Sequence, residues 1–174
     1  EENYSINNSG SRSVEAAAFA YKKQINGQDF MQETLQEADI VDLIQTTPEV
    51  NNLLKRISKT KTLDLLTGSS YDLTMRKLQK LGVDCELFGY VLTDEDGSKS
   101  TGEMYKMWMS MRMYARKGLT AKDYLYVGDN KKQDIEVPNS LGIRTCFVGE
   151  NNSVADFRIK NILELEKILE NECC

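Results

Sequence analysis

Residues 123–149 read DYLYVGDNKKQDIEVPNSLGIRTCFVG, and this stretch decides the fold class. Its first part, Tyr124-Leu125-Tyr126-Val127, is aromatic and apolar and stops sharply at Gly128-Asp129, as a strand does where the chain turns into a helix. A helical segment, KKQDIEVPNSLG, follows, and IRTCFVG returns to strand-forming residues. Strand, helix and strand with short joints make a βαβ unit, whose strands lie parallel with a right-handed crossover.

The same rhythm extends in both directions. Thr47-Pro48-Glu49 opens a helix through VNNLLKRISK, with a plausible cap and proline in the first turn. TLDLLTG is a short apolar strand ending at Thr67-Gly68. Ser69-Ser70 leads the helix YDLTMRKLQKLG, which Gly82 closes. CELFGYVLT is strand-like and runs into the acidic turn Asp94-Glu95-Asp96-Gly97, a long helix covers about 101–117, and ILELEKILEN forms a terminal amphipathic helix. From Pro48 onward this alternation predicts an α/β fold, a Rossmann-like parallel sheet with helices on both faces. Before it, residues 1–12 are polar and read as a flexible lead-in. Residues 13–46 read as two amphipathic helices split at Asn26-Gly27, with Phe30, Met31, Leu35 and Ala38 at helical spacing. The expected division is therefore 1–46 and 47–174.

The chain has 174 residues, 40% hydrophobic and 28% charged, enough for one folded domain with a small appendage. Lys plus Arg number 22 against 27 for Asp plus Glu, a net charge of -5. That balance argues against a nucleic-acid partner, and no apolar run approaches the ~18 residues of a membrane span, so no membrane partner is expected. There is no histidine, which removes Ser-His-Asp and Cys-His nucleophile pairs and HExxH zinc sites. Cys85, Cys146, Cys173 and Cys174 match no CxxC motif and read as buried or incidental thiols of a reducing compartment. Any chemistry then rests on Asp, Glu, Lys, Ser, Thr or a bound metal. No signal-peptide pattern stands at the start, so a cytoplasmic location is expected; the mitochondrial matrix is the alternative, since transit-peptide removal would fit a chain starting at Glu1.

In a sheet of this kind ligands bind at the carboxyl ends of the strands. Three such ends carry polar residues: Thr67, Gly68 and Ser69; then the acidic turn and Lys99; then Gly128, Asp129 and, one turn on, Asp134. Each has a plainer reading. Thr67 or Ser69 can cap a helix, Lys99 can be one solvated loop lysine, and Asp129 can cap the turn after its strand.

Taken together and in order, they resemble the haloacid dehalogenase-like (HAD) superfamily of hydrolases. LDLLTGSS matches the family's second motif with Thr67, KSTGEMY its third with Lys99, Glu103 and Tyr105 in register, and VGDNKKQD its fourth with Asp129 and Asp134. The resemblance covers about 47–169. KSTG lacks the prolines that usually stiffen the lysine loop. The resemblance implies Mg²⁺-dependent hydrolysis of a small phosphomonoester, a nucleotide or sugar phosphate. Thr67 and Lys99 would bind phosphate, Ser69 and the backbone after Thr67, including Gly68, would contact substrate, and Asp129 and Asp134 would serve the metal. The counterpart of Asp134 often stands behind the direct ligands. A hydroxyl donor and a fixed ammonium are what a transferring phosphoryl group needs, and carboxylates suit a hard cation.

The family's first motif, Asp-x-Asp-x-Thr on the central strand, is missing. Its first Asp is the nucleophile and its second the general acid/base. Asp39 and Asp42 have the wrong spacing, and Asp94 and Asp96 follow the wrong strand. The motif is expected upstream of Glu1, with residues 13–46 as part of a helical cap. Without it the chain should not turn over, and the sheet lacks a middle strand, a costly gap in hydrogen bonding. A missing N-terminal segment or a protein partner is expected to fill it. The alternative is an inactive HAD-like domain serving as a structural or interaction subunit of a larger assembly.

Met104, Met107, Trp108, Met111 and Tyr114 or Ala115 fall at helical spacing and read as a core stripe; the alternative is a partner groove, since Met109 and Met113 lie off the stripe. Lys55-Arg56 and Lys59-Thr60-Lys61 form a basic spot that reads as a solvated helix end.

Overall fold

The computed structural model describes Val41, residues 44–150 and residues 154–171. Nearly all of the helical pair expected over 13–46, and Cys173 and Cys174, lie outside these residues. The chain divides into two compact units, Glu1–Gln45 and Thr46–Cys174. The second unit carries the alternating elements.

Helix α1, Pro48–Ile57, starts on a proline, whose missing N–H costs nothing in a first turn, and carries Glu49 near its start and Lys55 and Arg56 near its end, as the helix dipole favours. Thr47 makes no side-chain cap bond. Strand β1, Leu63–Leu66, leads to α2, Tyr71–Leu81, which ends on Gly82 in the left-handed conformation at φ 70°. Strand β2 is Phe88–Leu92, shorter than the apolar run suggested because Cys85–Leu87 coils into a 3₁₀ turn. Helix α3, Glu103–Ala115, precedes β3, Leu125–Gly128. The helix expected after β3 is a π-helical turn, Lys131–Glu136, running into the short α4, Val137–Ser140. Then come β4, Arg144–Val148, β5, Phe157–Ile159, and α5, Leu165–Asn171. Strand β5 was not foreseen: three residues carry no readable period, and pairing with β4 makes it a strand.

All described pairings are parallel. β1 pairs with β2, from Leu63 opposite Phe88 to Leu66 opposite Leu92. β3 pairs with β4, and β4 with β5. The strands thus form a two-stranded and a three-stranded sheet, with no ladder between β1 and β3 among the described residues. Both sheets nevertheless share both cores. One core joins Leu66, Leu92, Tyr124 and Tyr126 to Met104, Tyr105 and Trp108 of α3. The other joins Leu53 and Ile57 of α1, Cys146, Ile159 and Leu165, with Leu63, Leu125 and Val127 packed against it. Helices therefore cover both faces, as the α/β reading requires.

One side-chain reading is corrected and another extended. On α3 the buried positions are Met104, Tyr105 and Trp108, whereas Met107 is exposed and Tyr114 is 93% exposed, because α3 turns Tyr105 rather than Met107 to the sheet. Arg56 is solvated as expected, 52% exposed, and its Nε and Nη2 also donate to the Glu166 carboxylate of α5 at 2.9 and 2.8 Å. A buried ion pair fastens α3. Asp64 on β1 accepts from Trp108 Nε1 at 2.7 Å, from Tyr90 N at 2.8 Å and from the Arg112 guanidinium, which lies over the Tyr90 ring.

Candidate active site

The carboxyl ends of β1, β2 and β3 carry the polar residues singled out above. Thr67 follows β1 directly, and its N–H donates to Leu92 O of β2 at 2.9 Å, which fixes its backbone. The cap of α2 is Ser70, whose hydroxyl accepts from Leu73 N, so neither Thr67 nor Ser69 is spent as the helix cap. Thr67 Oγ1 accepts from Ser69 N at 3.2 Å. Ser69 O accepts from Asp94 N, tying this loop to the end of β2. Gly68 between them is exposed, and a side chain there would meet nothing within 4 Å. In the acidic turn, Asp96 is consumed locally, accepting from Thr93 N at 2.9 Å.

Lys99, beyond that turn, points its ammonium at Asp134 Oδ1, 2.5 Å away. Asp134 is buried and Lys99 partly buried, with side chains 6% and 13% exposed. Asp134 Oδ2 accepts from Asn130 N at 3.0 Å, while Oδ1 has no aligned hydrogen-bond donor, so the lysine's charge is what satisfies it. Removing either partner would strand a buried charge. The local sequence explains how Asp134 reaches inward: Asn130 caps the π-turn by accepting from Lys132 N and Gln133 N, and Asp134 N donates to Asn130 O. Asp129, the residue after β3, is exposed and makes no hydrogen bond to a described residue, so Asn130 and not Asp129 is the cap.

Tyr126 on β3 joins these parts. Its hydroxyl donates to Leu66 O at 3.2 Å, across from β3 to the last residue of β1 and one residue before Thr67. Its ring lies under the Lys99 ammonium, 5.4 Å from nitrogen to centroid, a cation–π arrangement. Tyr105 packs edge-on against it and donates to Gln133 O at 2.8 Å, next to Asp134. Burial first, and the charge of Asp134 second, hold the Tyr126 phenol far above its ordinary value, so it stays a neutral donor. Lys99 and Asp134, and the end of β1 next to Thr67, are thus linked through Tyr126, whereas Asp129 is joined to them by no hydrogen bond among the described residues. Sequence reading missed Tyr126; its only signal was an aromatic residue two before the Gly-Asp turn.

Gly128 is dictated by this geometry. A Cβ there would stand 2.5 Å from the Asp134 side chain. Gly128→Ala is expected to cost about 1–3 kcal/mol, as other forced overpacking does, read as a lower urea midpoint with unchanged slope. An unchanged midpoint would show that the turn yields freely.

Among the described residues no group of three acidic or cysteine side chains is placed to hold a metal ion, and the candidate carboxylates are Asp129 and Asp134. One of them, Asp134, is already engaged by Lys99 and Asn130. The other, Asp129, is exposed, and a single open carboxylate is a ligand that a hard cation keeping several waters can use. No described helix is long and apolar enough to cross a membrane.

A parallel α/β layer with a lysine–aspartate pair and an exposed carboxylate at its strand ends defines a hydrolase-like class. The haloacid dehalogenase-like hydrolase family model matches residues 2–148, and the chain belongs to that family. No curated protein matches it. Among solved structures it resembles YfnB of Bacillus subtilis, described as a HAD-hydrolase bound to magnesium, at 19% identity and a TM-score of 0.67, over 91% of this chain and 69% of that one. A HAD phosphatase of Thermococcus onnurineus is similar at 20% identity and a TM-score of 0.60, over 89% and 69%. L-2-haloacid dehalogenase of Xanthobacter autotrophicus is similar at 12% and 0.65, over 91% and 74%.

Proposed function

We propose that this chain forms the core of a Mg²⁺-dependent phosphohydrolase acting on a small phosphomonoester, a nucleotide or sugar phosphate. The observation that carries the reading is the Lys99–Asp134 pair set over Tyr126 at the strand ends, beside an unengaged Asp129. Lys99 supplies fixed positive charge and Thr67 a hydroxyl proton to the phosphate oxygens, because its oxygen already accepts from Ser69 N. Asp134 holds Lys99 in place. Asp129 would hold Mg²⁺, which when bound neutralises charge on the phosphate. The facing edges of β1 and β3, paired with no described strand, support a further parallel strand between them that carries the aspartate nucleophile. That strand comes from another segment of the same protein or from a protein partner. A cytoplasmic setting belongs to this reading.

The test is hydrolysis of p-nitrophenyl phosphate with and without Mg²⁺. With the segment that carries the nucleophile present, the protein is expected to turn over only with the metal, and Asp129→Ala to fall to background. Equal activity in Asp129→Ala would reject the metal assignment. Inactivity of the unsubstituted protein with that segment present would favour the non-catalytic alternative.

A further inference from the structure

One cation near this site has no role in the mechanism above. Lys77 lies two turns along α2, and its Nζ reaches back to donate to Ser69 Oγ at 3.0 Å. No carboxylate among the described residues pairs with it, and burial holds its ammonium below the ordinary lysine value. A half-buried cation without a counter-charge is stabilised by an anionic ligand.

The direction of the hydrogen bonds says where that ligand would sit. Because Ser69 Oγ accepts from Lys77, the hydroxyl keeps its own proton, and no described residue accepts it. The Thr67 hydroxyl is in the same state, accepting from Ser69 N. Two oriented O–H donors therefore stand two residues apart, on either side of the exposed Gly68, where no side chain blocks approach. Lys99, held by Asp134, is assigned to the first anion, which leaves Lys77 for a second.

We propose that Ser69 and Lys77 form a second anion-binding position beside Thr67, so that the site takes small phosphomonoesters bearing a further carboxylate or phosphate. The inference rests on the phosphate reading of Thr67 and Lys99, and its test separates the two. Binding of three non-hydrolysable probes to the full chain is measured by calorimetry without metal. Methylphosphonate has one anionic group, phosphonoacetate adds a carboxylate, and methylenediphosphonate adds a second phosphonate.

The unsubstituted chain is expected to bind at least one of the two larger probes about tenfold more tightly than methylphosphonate, the gain from one charge-assisted hydrogen bond. Whichever probe gains identifies the second group. Lys77→Met is expected to erase that preference while leaving methylphosphonate affinity unchanged, Ser69→Ala to reduce it, and Lys77→Arg to restore it. Circular dichroism confirms folding of each variant. A preference that survives in folded Lys77→Met, or is absent from the unsubstituted chain, overturns the proposal. Lys99→Met is expected to weaken all three probes together. If it does not, or if no probe binds, the phosphate reading fails, and the second position with it.

Discussion

Asp64→Ala is expected to lower the stability of this chain by about 3 kcal/mol, the low end for breaking a buried ion pair. Asp64 lies on β1, its side chain is 4% exposed, and it serves three donors at once: Arg112, Trp108 Nε1 and Tyr90 N. Alanine leaves all three without an acceptor. The guanidinium softens the loss, because Arg112 is 19% exposed and already stacks on Tyr90, so it can turn partly toward water. Urea unfolding followed by fluorescence reads the effect directly, since Trp108 is the single tryptophan of the chain and donates to the residue being replaced. Asp64→Ala/Arg112→Leu is expected to lose less than the sum of the single changes, because the stranded charge is gone. Strict additivity would show that Asp64 acts through Trp108 and Tyr90 alone.

Lys99→Met separates stability from chemistry. It removes the counter-charge of Asp134, a carboxylate 6% exposed whose Oδ1 has no other partner, and is expected to cost about 3 kcal/mol by the same argument. It also removes the fixed charge proposed for the phosphate, at about 10²–10³-fold in kcat, the usual loss for one preorganised donor. Adding Asp134→Asn supplies a neutral side chain that still accepts from Asn130 N. The double variant is therefore expected to regain most of the urea midpoint and none of the p-nitrophenyl phosphatase activity. Recovery of both would mean that Lys99 matters only as a partner for Asp134.

The sequence carried the order of elements because period and punctuation are local. The runs LDLL, FGYVL, LYVG and RTCFV became β1 to β4, and Gly82 ended α2 as its place predicted. Strand β5 and the π-turn were illegible, since three residues show no period and a π-turn shares its residues with an ordinary helix. Thr67, Ser69, Lys99, Asp129 and Asp134 were legible as polar residues at strand ends. Tyr126, Lys77 and Asp64 were not: each looks like ordinary strand or helix text, and only its partner gives it meaning.

What the linear chain determined by itself was the α/β class, the strand ends at which polar groups gather, and the exclusion of histidine chemistry. Packing alone decided which of those groups are charged partners and which stay open. Among the described residues Lys99 is paired with Asp134, while Lys77 meets a hydroxyl and no carboxylate, and Asp129 is exposed. The reason is that burial and pairing are properties of distance in space. The link from Tyr126 to Leu66 spans 60 residues of sequence, and nothing along that length encodes it.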